Sequence, residues 1–155
     1  MNGWRERLRC ALPGVWLGGL ACLAFVATPA PFATLPTPTE AGKVVGFMFA
    51  REAPTSLVLA VLLLLLERAA AAERAERGTG SGFSVNMGLV LGAVACTVVG
   101  YYVLQPMMAS ARSGLGPLSF GQLHGLSFGL FGVKMLLVLA LAWRAGGSRL
   151  ARAGG

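Results

Sequence analysis

The chain has no aspartate, no isoleucine, a single histidine and only two lysines. Charged residues make up 12% of its 155 residues, about half the ~25% of an ordinary soluble domain. These scarcities exclude whole classes of function. With one imidazole and no aspartate, and with serines inside helical runs that have no base within helical reach, a nucleophile–base–acid set is not assembled. A phosphate-binding loop and an HExxH metal helix are absent too. No enzymatic activity is expected. Three cysteines, Cys10, Cys22 and Cys96, form no CxxC spacing, which excludes a disulfide framework and a structural zinc site.

What is present is apolar: 55% of the chain is hydrophobic and 22 residues are glycine. Four runs have about the ~20 residues that cross a hydrocarbon layer, over 11–30, 46–67, 84–105 and 120–143. The first is too long for the apolar region of a signal peptide, and Pro29 and Pro31 spoil the small-residue cleavage position. It reads as an uncleaved membrane helix. Pro29, Pro31, Pro36 and Pro38 are expected to break the chain into an extended link. The second run has an uninterrupted core from Leu57 to Leu66, with Arg51 and Glu52 at the interface a turn before it. Residues 68–82 read as a solvated helix extension ending at Gly78 and a flexible hinge. The third run starts after the N-cap candidate Ser84 and is expected to end at Pro106. Spans this continuous in lipid must be helices, and short loops make neighbours antiparallel. The fold expected is all-α, an integral membrane four-helix up-and-down bundle forming one domain over 1–155.

The net charge of +7 raises the question of nucleic acid. The arginines flank apolar runs instead of covering one face, so membrane topology explains them and no nucleic-acid partner is expected. Nine Lys/Arg fall in the N-terminal segment, the 67–82 loop and the tail; Lys43, Arg51 and Arg112 fall in the other loops. The positive-inside rule then puts both termini in the cytoplasm. The Ala/Gly/Leu/Arg bias suggests a GC-rich bacterial genome, hence a bacterial cytoplasmic (inner) membrane.

The fourth run, FGQLHGLSFGLFGVKMLLVLALAW, carries the candidate functional residues. At 100° per residue His124, Ser127, Phe131 and Lys134 share one stripe, and Gly121, Gly125, Gly129 and Gly132 form another. Ionisable side chains in a membrane are costly and mark function. His124 reads either as a residue pinning two helices or as a ligand or proton-handling group. Lys134 is about 15 Å further along at ~1.5 Å rise per residue, and with Glu52 placed at the interface it is left without a carboxylate. Gly121, Gly125 and Gly129 offer a smooth face for helix packing. A different chemistry is open at the outer end, where Met48, Met107, Met108 and His124 supply thioethers and an imidazole suited to a soft metal such as copper. No other cofactor is expected.

WLGGLACLAFVATPAPF in the first run, Phe120, Leu123, His124, Gly125 and Ser127 in an F-x-x-LHG-x-S pattern, and Pro106-Met107 resemble the transmembrane protein 205-like family over residues 11–143. The resemblance implies a small four-pass membrane domain of unknown function with His124 and Ser127 as its polar signature. A eukaryotic member is linked to resistance to platinum drugs, and a four-helix copper-resistance domain is distantly similar. The family pattern often has an asparagine where this chain has Phe131, which leaves a network built on that residue incomplete. The expected function is a non-enzymatic multi-pass protein in helix packing, assembly or an accessory role, with membrane lipid and a second copy or another membrane protein as partners. The alternative is soft-metal transport or resistance.

Overall fold

A computed structural model describes residues 3–153, with side chains described through 147. Arg149 and Arg152, two of the arginines in the topology count, have side chains outside the described residues. Every regular element among the described residues is helical: α1 (Gly3–Cys22), α2 (Pro29–Thr34), α3 (Pro38–Glu76), α4 (Val85–Thr97), α5 (Leu104–Arg112) and α6 (Phe120–Ala153). One π-helical turn, Leu23–Ala27, joins α1 to α2, and another, Val98–Val103, joins α4 to α5. Four helical units, Gly3–Thr34, Pro38–Glu76, Val85–Arg112 and Phe120–Gly147, are long and apolar enough to cross a membrane. α1 and α4 each pack against both α3 and α6. Going round the bundle the order is therefore α1, α3, α4, α6, with α3 and α6 facing each other across its middle.

Two of the prolines expected to end spans do not. Pro29 opens α2, which also takes in Pro31 from the expected extended link, and Pro106 lies inside α5. Proline lacks an N–H and its ring clashes with the carbonyl four residues back. A π turn widens the helix where that clash would fall. Both prolines follow such a turn: the Thr28 N–H donates five residues back to the Leu23 carbonyl at 2.9 Å, and the Leu104 N–H reaches the Val99 carbonyl. The real break falls at 35–37. There the Thr37 hydroxyl accepts from the Glu40 N–H at 3.3 Å and donates to the Glu40 carboxylate at 3.0 Å, an N-cap with Pro38 in the first turn. At the other end of α3, Gly78 takes a positive φ of +68° while the Thr79 N–H bonds the Arg74 carbonyl at 3.0 Å. This is a left-handed glycine cap.

Between Ala53 and Ala70 the buried positions of α3 are Ala53, Ser56, Ala60, Leu63, Glu67 and Ala70, alternating three and four residues apart. That is a seam of period 3.5, the spacing of helices packed side by side at a shallow angle. Ala, Ser and Ala at its upper part let neighbouring helices come close. Trp16, Leu20, Leu63, Val90, Val138 and Leu141, from all four spans, form the central core. Large apolar side chains such as Phe25, Phe47, Val58, Leu65, Phe128, Leu136 and Trp143 point outward. On a water-soluble protein such a surface would aggregate; in a bilayer it faces acyl chains.

Candidate functional site

The polar centre of the bundle is built on α3 and α6, the two helices that oppose each other. Glu52 lies fourteen residues past Pro38, and Lys134 fourteen past Phe120. Both helices run the same way, so both residues reach the same depth, about 21 Å of helix rise from the start. Their long side chains meet: Lys134 Nζ lies 2.8 Å from Glu52 Oε1, with the side chains only 3% and 14% exposed. Ser56, one turn on along α3, donates its hydroxyl to the same Glu52 Oε1. Trp16 of α1 donates its indole N–H to Ser56 Oγ at 2.8 Å. Trp16, Ser56, Glu52 and Lys134 thus form one continuous chain through three helices.

Apolar rings finish the enclosure. The Lys134 ammonium sits 4.9 Å from the centroid of the Phe131 ring, and Phe49 meets Phe131 edge-on at 5.4 Å. Phe131, where the resemblance led us to expect a gap in a polar network, supplies a π face to the cation instead. The expectation that Lys134 lacks a carboxylate is overturned. Glu52 is not an interfacial residue lying before a core that begins at Leu57: α3 begins at Pro38, and the apolar turns before Glu52 carry it inward. The signal was present in the sequence as equal depth along two parallel helices, but only the helix bounds expose it.

His124 and Ser127 part company. Ser127 is half-buried and donates to the Gly100 carbonyl at 3.2 Å, inside the π turn that frees backbone acceptors. His124 is exposed. It stacks on Phe120, with ring centroids 5.6 Å apart and an 18° interplanar angle, and Arg112 covers Phe120 at 4.6 Å. The imidazole thus belongs to an Arg–Phe–His stack only four residues from the start of α6, at the end of the bundle. The shared stripe splits because His124 and Lys134 are about 80° apart at 100° per residue; Lys134 holds the inner edge and His124 the outer.

Gly125-Leu126-Ser127-Phe128-Gly129 also spells the GxSxG pattern of serine hydrolases. That pattern carries chemistry at a strained strand-to-helix turn. Here it lies within a helix, and the serine is engaged with a backbone carbonyl.

Gly121, Gly125 and Gly129 are exposed, and a Cβ added at any of them would meet nothing within 4 Å. Among the described residues of the chain no side chain lies against them. The close approach between the third and fourth spans uses glycines of the third instead. A Cβ on Gly92 would fall 3.0 Å from Leu137 Cδ1, and one on Gly100 would fall 3.6 Å from Leu130 Cβ. The Leu137 methyl leaves little room for a side chain at position 92, whereas a Cβ at position 100 would be in ordinary contact with Leu130.

Of the candidate soft-metal residues, Met108 is buried with Leu104 and Leu123, and Met107 packs against the same cluster. Met107 also lines a mostly apolar cavity of about 300 Å³ between α5 and the loop before α6; Met48, Met108 and His124 do not line it. Among the described residues no three His, Cys, Asp or Glu side chains gather to hold a metal ion.

A family model matches residues 11–116, which run from α1 past the end of α5 and include Trp16, Glu52 and Ser56. The matched stretch ends before Lys134, His124 and Ser127. No curated protein and no solved structure matches the chain. With three of its four spans and the carboxylate side of its ion pair inside the matched stretch, the chain belongs to the family described as a domain of unknown function (DUF4149).

Proposed function

We propose that this chain is a non-enzymatic packing and assembly unit of the bacterial cytoplasmic membrane, with both termini on the cytoplasmic side, acting as a homo-oligomer. The single observation that supports it is the division of labour on α6. Its inner edge is consumed by the Glu52–Lys134 pair, while Gly121, Gly125 and Gly129 lie open on the outer edge. A small-xxx-small face lets two helices approach closely in lipid, where van der Waals packing drives association. A second copy of the same helix supplies a complementary face about a two-fold axis. The arginine asymmetry supports the orientation. The resemblance to the transmembrane protein 205-like family fits a four-pass unit of this size and belongs to the same proposal.

The test is subunit counting by single-molecule photobleaching of the full chain in lipid nanodiscs. Wild type is expected to bleach in two steps and Gly125→Leu in one, with unchanged helix content. Single-step bleaching of the wild type would refute the reading.

A further inference from the structure

At the arginine-rich end of the bundle the four spans part around a half-open cavity of about 300 Å³. Arg9 of α1, Glu67 and Arg74 of α3, Asn86 of α4 and Arg144 of α6 line it. Three guanidiniums therefore surround one carboxylate. Arg9 is already engaged: it pairs with Glu6 at 3.0 Å and with Glu67 at 3.5 Å, and its side chain is 13% exposed. Arg74 and Arg144 are different. Each uses its Nε on a neutral oxygen, Arg74 on the Ala70 carbonyl at 3.0 Å and Arg144 on Asn86 Oδ1 at 2.8 Å. Both are exposed. Those bonds orient the two guanidiniums and leave their Nη groups as donors.

The inference is separate from the assembly reading. We propose that this cavity binds a phosphate-bearing anion, with Arg74 and Arg144 as its forked donors. Planar guanidiniums match phosphate oxygens in a bidentate way. Asn86 is the second residue of α4, so the positive end of that helix also faces the site. Glu67, buried and held by Arg9, makes the inner wall negative and keeps the anion at the level of the two outer arginines. The phosphate has two sources, a lipid headgroup at the leaflet surface or the free ion. Basic pockets between membrane helices at that level suit headgroups.

The experiment uses the full chain in zwitterionic detergent, titrated separately with dihexanoyl-phosphatidylglycerol and with inorganic phosphate, and read by thermal shift. Saturable binding of at least one probe is expected. Arg74→Gln/Arg144→Gln should weaken it about thirtyfold, from about fivefold per arginine. Arg68→Gln, an exposed arginine of α3 that does not line the cavity, should change it less than about twofold. Binding of the lipid alone assigns the headgroup; competition by inorganic phosphate assigns the free ion. No saturable binding by either probe, or equal weakening by Arg68→Gln, overturns the proposal. Should the glutamine variants lose folded yield, Arg74→Lys/Arg144→Lys keeps the charge without the fork; undiminished binding there overturns it as well.

Discussion

Breaking the Glu52–Lys134 pair from one side should cost far more than removing it from both. At 2.8 Å the gross attraction is about 6 kcal/mol for an effective dielectric constant of ~20. Desolvating the two ions costs several kcal/mol each, so the intact pair is worth little against an apolar replacement. A lone survivor keeps its desolvation cost without the attraction. Glu52→Gln leaves the Lys134 ammonium, 3% exposed, with a neutral amide oxygen and the Phe131 ring face but no counter-charge. It should lose about 3–5 kcal/mol. Lys134→Met should lose less, because Glu52 is more exposed and keeps the Ser56 hydroxyl. The double variant should lie within about 1.5 kcal/mol of wild type. The assay is reversible unfolding in mixed micelles of increasing SDS fraction, followed by tryptophan fluorescence; Trp16, at the end of the network, is the buried indole. The expected non-additivity is several kcal/mol, against an average of about 0.6 for a hydrogen bond between membrane helices. Single-variant losses that add up in the double variant would refute the claim that the two charges depend on each other.

Three further outcomes follow from particular contacts. Gly92→Val should destabilise the monomer by about 1–3 kcal/mol in the same assay, because its branched side chain meets Leu137, whereas Gly129→Ala should not destabilise it, since nothing lies within 4 Å and alanine is the better helix former. Gly78→Ala should cost about 1–2 kcal/mol, the strain of a left-handed residue at φ +68°, visible as faster proteolysis after Glu76. Cu(I) titration should give the same stoichiometry for wild type and His124→Ala: Met108 is packed among Leu104 and Leu123, and His124 is exposed in a stack with Phe120. A stoichiometric site lost in the variant would reverse that assignment.

The four apolar helices are legible in the sequence because lipid imposes length and continuity on each span separately. Their junctions are less so. Pro29 and Pro106 read locally as stops, but each is absorbed by a π turn just before it, a device with no local spelling. The ends at Thr37 and Gly78 have one, since a capping side chain or a positive φ is a property of a few consecutive residues.

The candidate site divides in the same way. That Lys134 lies within an apolar run is plain from the sequence. Its partner is eighty-two residues away, and its identity depends on which two helices oppose each other and on both residues reaching one depth. His124 and the glycines sit on stripes that periodicity finds easily, but periodicity fixes only angles around one helix axis. The rotation of α6 in the bundle, set by Leu137 seating on Gly92 and Leu130 on Gly100, turned Lys134 inward and His124 outward. Sequence alone determined a four-span membrane protein, because solvation by lipid acts residue by residue; only tertiary packing decided which charges meet, because that depends on how separate helices are turned toward one another.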